Sequence, residues 1–555
     1  MVHLPLSAAA LASSALLVAA GPVKRASSAS VTAAPLATVG ISVSDTYPPS
    51  GTAPDPSRFP DEAAVGYPGP TPTGVEPFAV QTGASYPTHQ GIYPLVLPAS
   101  SSVDIAKYWG NLSPQYSVSS SVYGLSEASP LLPDQCEIAQ AHIYFRHGAR
   151  YPTTGAPPSA FAGKVANASL ADGGFKASGP LEFLNDWTYK LGAELLTPFG
   201  RLQDFQLGVA SRMLYGKLLN NFTETGTLPV WRTQSEDRMV KTMVNFASGF
   251  FGVPEYLDSV NIELQIEAPG FNASGAPYEV CPNADNERGS VGSTAAAAFS
   301  EPYYEKTAAR LNKHLSGNLT LSATDINAML QLCSYETVAL GSSKFCDLFT
   351  KEDFEIYEQA YDILFAGNNG FASPVAAAQG KGYLEELLSR LNHTLISKWD
   401  SDTNATLDGN EVTFPLNQSI YADAAHEVSI LDALTALNLT ALTAGGPPPT
   451  SHRSTSHTFS ASRIVPFATH FELQVLECAP SVPTRQVRFV VNDAVVPLHG
   501  SFAGCREDPN GLCAYDTVLD ALIKRRDEID FDYACNGNYS VPTYGDISDG
   551  LPPRA

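Results

Sequence analysis

Basic residues are scarce in this chain. Thirty-three Lys and Arg stand against 56 Asp and Glu, a formal net charge of −23. A field of that sign repels nucleic acid and excludes a partner held by bulk positive charge. An anionic ligand would have to be drawn by a local cluster of arginines. Long apolar runs are missing as well. Beyond residue 20 no stretch reaches eighteen apolar residues, so no membrane span is expected there. The eight cysteines include no C-x-x-C pair, which disfavours zinc. Neither a metal nor a cofactor is expected.

What is present begins with an export signature. Residues 1–20 read as a signal peptide, with an apolar core from Leu4 to Val18 and small residues at Val18-Ala19-Ala20. That core is too short and too rich in alanine to span a membrane. Lys24-Arg25 reads equally as a second processing site or as two solvated charges. Residues 21–98 are rich in Ser, Thr, Ala and Pro, a composition that cannot bury a core, and they read as a disordered spacer. In an exported chain the even number of cysteines points to disulfides, although their spacing does not choose the pairs. Ten N-x-S/T sequons fit a glycosylated surface: Asn111, Asn167, Asn221, Asn272, Asn318, Asn392, Asn404, Asn417, Asn438 and Asn538.

Residues 99–555 alternate strand-like and helix-like segments. Ile138 to Phe145, Leu228 to Trp231, Ser419 to Asp423, Phe471 to Leu476 and Val487 to Val491 read as strands. Leu181 to Leu191, Gly200 to Leu219, Met239 to Phe251, Tyr303 to Leu315, Phe354 to Phe365 and Val428 to Leu437 read as helices. Leu202, Phe205, Leu207, Val209, Met213 and Leu214 would form the apolar face of the second of these, with Thr197 as N-cap and Pro198 in its first turn. The alternation predicts an α/β sheet with helices on both faces, in which ligands bind beyond the carboxyl ends of the strands.

Three strand ends carry charged residues. The first runs into Arg146-His147-Gly148-Ala149-Arg150-Tyr151-Pro152, the second into Arg232 and, six residues later, Arg238, the third into His426-Glu427. Brought together, they offer an imidazole to attack, several guanidiniums to neutralise an anion and a carboxylic acid to protonate a leaving group. That set suits phosphomonoester hydrolysis through a phosphohistidine, with no need for a metal.

The heptad Arg146 to Pro152 resembles the R-H-G-x-R-x-P signature of the histidine acid phosphatases, a family that includes the secreted fungal phytases. Tyr108-Trp109-Gly110, Leu196 to Gly200, Phe345 to Thr350, Tyr421-Ala422-Asp423 and Val491-Asn492-Asp493 with Val496 to Gly500 are similar to other segments of that family. The resemblance implies a large doubly wound α/β domain, phosphoglycerate mutase-like, with a smaller all-helical lobe inserted from roughly 153–225 and 290–400. It implies that His147 is the nucleophile, that Arg146, Arg150, Arg232 and His426 bind the phosphate, and that Glu427 donates the proton, with Asp423 the alternative donor. Arg238 matches a second arginine position, where a solvated or salt-bridged role is equally in keeping. The disulfides implied are Cys136–Cys478, Cys281–Cys535, Cys333–Cys346 and Cys505–Cys513. His142 and His499 read as structural.

The chain also departs from the family pattern. Glu427 stands where the family has aspartate, and Val428 where the phytases often have asparagine. No lysine follows the heptad until Lys164, although lysines there help phytases hold inositol hexakisphosphate. The expected activity is therefore that of a secreted acid phosphatase acting on small phosphomonoesters, phytate included in its range. A dedicated phytase is the alternative. An inactive phosphate-binding protein of the cell surface or wall is the reading from another class, and a cytosolic mutase-like transferase is disfavoured by the signal peptide and cysteines.

Overall fold

The computed structural model describes Leu95, residues 104–480 and residues 483–554. The expected signal peptide and, apart from Leu95, the expected spacer lie outside the described residues. Leu95 itself is buried in the core of the helical layer described below.

Ten strands occur among the described residues. They are β1 (Cys136–Arg146), β2 (Phe175–Ala177), β3 (Val230–Gln234), β4 (Asn261–Gln265), β5 (Leu315–Gly317), β6 (Ile420–Ala425), β7 (His470–Cys478), β8 (Arg485–Val491), β9 (Ala494–Val496) and β10 (Cys513–Ala514). Eight of them form one sheet in the order β10-β8-β7-β1-β6-β3-β4, with β9 paired to β8. The strands β1, β6, β3 and β4 run parallel, whereas β7 to β10 join by antiparallel pairs. Every residue of β3 and β6 is buried, and so are the last seven of β1. Burial on both pleats requires cover on both faces, and near-continuous burial of this kind is the mark of a parallel sheet. Because the four parallel strands share one direction, the residues that follow them emerge at the same edge.

The helices are α1 (Pro157–Leu170), α2 (Pro198–Tyr215), α3 (Asn220–Thr225), α4 (Asp237–Phe251), α5 (Val291–Asn312), α6 (Ala323–Leu340), α7 (Lys351–Asn368), α8 (Ala376–Gln379), α9 (Lys381–Asn392), α10 (Glu427–Ala436), α11 (Ala461–Ile464), α12 (Tyr515–Glu528) and α13 (Phe531–Asn536). One face of the sheet, with Ile143, Phe145, Trp231, Ala422 and Ala424, packs on Leu207 of α2 and on Met239, Met243 and Phe246 of α4. The other, with Tyr144, Phe471 and Phe489, packs on Tyr383 and Leu384 of α9 and on Ile430, Leu431 and Leu434 of α10. Helices α1, α5, α6 and α7 surround a separate apolar core.

The layers correct three expectations. The ranges 153–225 and 290–400 take in α2, α3 and α9, yet these helices cover the sheet rather than join the helical lobe. Leu181 to Leu191 is no α-helix. A 3₁₀ helix spans Gly179–Asn185, and Asn185 bonds Ala177 through both amide atoms at 2.9 Å, fastening the segment to β2. The buried face of α2 is also not the predicted one. It carries Gln203, Asp204, Leu207, Gly208, Ser211 and Tyr215, and Met213 is left 83% exposed. The reason is close packing. A Cβ at Gly208 would lie 2.1 Å from Phe246 O and one at Gly249 2.0 Å from Phe205 O, so the two helices touch through backbone. Small residues that permit this contact carry no hydrophobic signal. Thr197 does cap α2, accepting from Gly200 N at 3.0 Å.

Four disulfides are formed. Cys136–Cys478 joins β1 to β7, Cys281–Cys535 joins the loop after β4 to α13, Cys333–Cys346 lies in the helical layer, and Cys505–Cys513 closes a loop beside β10. No described helix is long and apolar enough to cross a membrane.

Candidate active site

The heptad leaves the sheet at the end of β1 and is clamped by backbone from several sides. Arg146 N donates to Thr469 O at 2.9 Å, Ala468 N donates to His147 O at 3.0 Å and Thr197 N donates to Ala149 O at 2.8 Å. Gln203 Oε1 accepts from Ala149 N at 2.9 Å. His147 Nδ1 lies 2.8 Å from the carbonyl oxygen of Gly148. A carbonyl only accepts, so Nδ1 carries the hydrogen and Nε2 keeps its lone pair. The ring is 0% exposed, and Nε2 has no hydrogen-bond partner. Burial holds the imidazole well below its usual pKa; the Glu427 carboxylate, 3.6 Å from Nε2, opposes the shift and Arg146 adds to it. His147 is a neutral imidazole with an unoccupied nucleophilic nitrogen.

Guanidiniums surround it. Arg146 donates through Nη1 to Asn111 O and, at 2.9 Å, to Val465 O, and its plane lies 4.4 Å over the Phe467 ring. Burial lowers its pKa to about 10, which leaves it charged at any pH of interest. Its Nη2 is buried with no hydrogen-bond partner among the described residues. Arg150 donates to Tyr151 O at 2.9 Å, and its Nε is likewise unpartnered. Arg238, in the first turn of α4, reaches Glu194 at 3.2 Å and also pairs with Glu236, and its charge bears on His147.

Arg232 is not part of this group. It sits in the middle of β3, two residues before the strand ends, and the pleat turns its side chain onto the face covered by α9. There it pairs with Glu263 at 2.8 Å, Glu386 at 3.1 Å and Asp408. Three carboxylates occupy its donors, so the phosphate-binding role expected of Arg232 is corrected: Arg238, after the strand end, faces the site. Asp423 is corrected in the same way. It lies opposite Arg232 in the ladder and is paired bidentately with Arg390, remote from His147.

His426 and Glu427 arrive from the end of β6 at the start of α10. The His426 ring stands 5.7 Å from that of His147, and its Nε2 lies 3.1 Å from Glu267 and 3.7 Å from Glu236. Tyr278 donates to the other oxygen of Glu267 at 2.5 Å. Glu427 Oε2 lies 2.9 Å from Arg146 Nε and 3.6 Å from His147 Nε2, while Oε1 accepts from Asn111 Nδ2 at 3.0 Å. Burial would raise the Glu427 pKa, but the Arg146 guanidinium outweighs it and holds the carboxyl well below its usual range.

Glu194, Glu236, Glu267, Tyr278 and Asn111 complete the site and were not foreseen. The acids and the tyrosine sit in loops or turns with no periodic signal. Asn111 reads as a glycosylation sequon, yet it is buried and its Nδ2 is bonded to Glu427, so a glycan there is incompatible with the site. Ligand atoms of His147, His426 and Glu427, and separately of Glu236, Glu267 and His426, gather within 4.8 Å of one another. A cation in either group would meet the charges of Arg146, Arg150 and Arg238.

The pocket thus joins a buried neutral histidine, three guanidiniums and an acid, all delivered by strand ends or the helix turn that follows. The model of the histidine phosphatase superfamily, branch 2, matches residues 137–492. The chain belongs to that superfamily. This histidine phosphatase is accordingly a phosphoric monoester hydrolase. It is 32% identical over 436 residues to Phytase A of Aspergillus oryzae, an alignment covering 75% of this chain and 88% of the relative. With Phytase A of Neurospora crassa it shares 30% identity over 482 residues, covering 76% and 91% of the two chains. The phytase from D. castellii has the same fold, with a TM-score of 0.63 at 24% identity over 82% of this chain and 93% of that one. So does the Bifidobacterium longum multiple inositol polyphosphate phosphatase solved with inositol hexasulfate, with a TM-score of 0.53 at 14% identity over 75% and 97%.

Proposed function

We propose that the enzyme is a secreted acid phosphatase of broad range, with phytate among its substrates but not preferred, and that it works through a phosphohistidine on His147. The observation that carries this reading is the His147 Nε2 lone pair, buried, unpartnered and ringed by Arg146, Arg150 and Arg238. A phosphate dianion enters among the three guanidiniums and takes Arg146 from Glu427, whose carboxylate then takes up a proton from solvent. His426 binds a phosphoryl oxygen. Nε2 attacks phosphorus, the P–O bond to the ester breaks, and Glu427 gives its proton to the departing oxygen. In the second step Glu427, now a base, takes a proton from water. The water oxygen attacks phosphorus, the P–N bond breaks, and phosphate and neutral His147 are restored. The guanidiniums stabilise charge on the phosphoryl oxygens in both steps.

The preference for simple esters follows from charge. Phytate carries further phosphates, and the groups added around the arginines are carboxylates: Glu194, Glu236 and Glu267. Lys164, the first lysine after the heptad, is paired with Asp325. The names of the relatives favour a second reading, a dedicated phytase. Export rests on residues 1–20 and fits the four disulfides, and retention at the wall would fall to residues 21–98.

Brief reaction with labelled substrate and rapid quenching tests the mechanism. Acid-labile, base-stable label on a peptide containing His147 is expected, and His147→Ala is expected to be inactive. An active His147→Ala enzyme would overturn the proposal and an inactive native protein would favour the phosphate-binding reading. A kcat/KM for phytate well above that for an aryl phosphate would replace broad range with dedicated phytase.

A further inference from the structure

Both oxygens of Glu427 have fixed neighbours, and the two are chemically different. Oε2 faces Arg146 Nε and His147 Nε2, where the phosphoryl group is transferred. Oε1 accepts from Asn111 Nδ2 at 3.0 Å. A side-chain amide nitrogen only donates, and the reverse orientation would set Asn111 Oδ1 against the carboxylate. The oxygen that accepts from Asn111 cannot at the same time present a proton along that line. We infer that Asn111 fixes Oε2 as the oxygen that carries the Glu427 proton, and so acts as the positioning residue for protonation of the leaving group. The inference rests on the reading of Glu427 as proton donor.

The turn that holds Asn111 is rigid for reasons the surrounding residues supply. Asn111 lies in a 3₁₀ turn, Gly110–Leu112. Gly110 has φ +56°, and a Cβ there would fall 2.5 Å from Tyr361 Cβ, so the position admits glycine alone. Its N–H donates to Glu358 at 2.7 Å, and Glu358 in turn accepts from Ser460 and Ser462. Trp109 N donates to Ser113 Oγ at 3.1 Å. The carbonyl oxygen of Asn111 accepts from Arg146 Nη1, so the backbone of this turn braces the arginine while its side chain orients the acid. The arrangement also bears on the glutamate in place of aspartate. A glutamate has one more rotatable bond, and a fixed donor on Oε1 removes the freedom this adds.

The test compares two substrates by kcat/KM, which reports the phosphorylation step. An aryl phosphate has a leaving group that departs with little help from a proton, whereas an alkyl phosphate needs one. Asn111→Leu is expected to lower kcat/KM for the alkyl ester at least about tenfold, within the range of general acid catalysis. The aryl ester should lose less than about threefold. Glu427→Gln should show the same selectivity more strongly, and Asn111→Gln, which keeps an amide donor, should recover part of the alkyl activity. If Asn111→Leu does not fold, Asn111→Asp, nearly isosteric and without the donor, takes its place with the same expected selectivity. Equal losses on both esters in the Asn111 variants, beside a selective Glu427→Gln, would overturn the role of Asn111 alone. A Glu427→Gln enzyme with no selectivity would overturn the donor reading and the inference together.

Discussion

Arg146 Nε and Glu427 Oε2 stand 2.9 Å apart and close the pocket that His147 faces. The pairing holds the Glu427 proton off in the free protein, against the opposing effect of burial. Phosphate that takes Arg146 removes that restraint, so the carboxyl regains affinity for its proton in the complex. A donor must be protonated, and activity falls as pH rises through its pKa. The free enzyme should therefore lose the proton at lower pH than the complex. On an alkyl phosphate the upper limb of kcat/KM is expected at lower pH than that of kcat. A kcat limb at equal or lower pH would contradict the displacement of Glu427 by substrate.

Arg238 and Arg232 should fail in different ways. Removing Arg238 takes a charge from the phosphate pocket and should weaken inhibition by inorganic phosphate by about 2 kcal/mol, roughly thirtyfold in Ki, with little change in melting temperature. Removing Arg232 leaves Asp408 buried beside Glu263 and Glu386 without its cation, which costs on the order of 3–5 kcal/mol of stability. Phosphate inhibition and thermal melts of the two alanine variants separate the roles. A stable Arg232→Ala protein with weakened phosphate binding would restore the role expected of Arg232.

Stability should decline from pH 5 to pH 8. Burial raises Glu263 and Glu358 to about 7 and Glu386 to about 8, while Arg232 opposes the rise at Glu263 and Glu386 and Asp362 adds to it at Glu358. These carboxyls bind protons more tightly folded than unfolded. Their contribution is complete below the unfolded value near 4.5 and is lost as pH rises through the folded values. Melting temperature across this range checks the sign, and Glu386→Gln should flatten part of the slope. A rising melting temperature would show that the acids are paired as anions.

Asn111 should carry no sugar. Its amide is buried against Glu427, whereas the sequon asparagine Asn167 is exposed on α1. Glycopeptide mapping of secreted, active protein checks this, and substantial occupancy at Asn111 with full activity would be inconsistent with the pocket.

Most of the site was legible because strand ends announce themselves. His147 and His426 each follow a short apolar run and precede a helix, so the edge on which they meet follows from the alternation of elements. Arg232 misled for a related reason. Its strand continues to Gln234, so Arg232 lies inside the sheet under α9 and not at the rim. That depends on register, which pairing with β4 and β6 decides and local sequence does not. The buried face of α2 was hidden because it is built from Gly208, Ser211 and polar residues that fit a close backbone contact. Asn111 was hidden in a sequon, and Glu267 and Tyr278 in loops where only tertiary contacts give them a role.

The strand that leads into His147 pairs with β7 from Cys136 to Phe145, is bonded to it through Cys136–Cys478, and gives its Arg146 amide to Thr469. Assembly therefore follows the chemistry in the order of synthesis. A nascent chain emerging in order has made the nucleophile, its arginines and its acid well before the strand that locks them in place. A polypeptide stopped short of residue 470 would hold every group that touches the phosphoryl and no working pocket, so hydrolysis waits for β7 to be made.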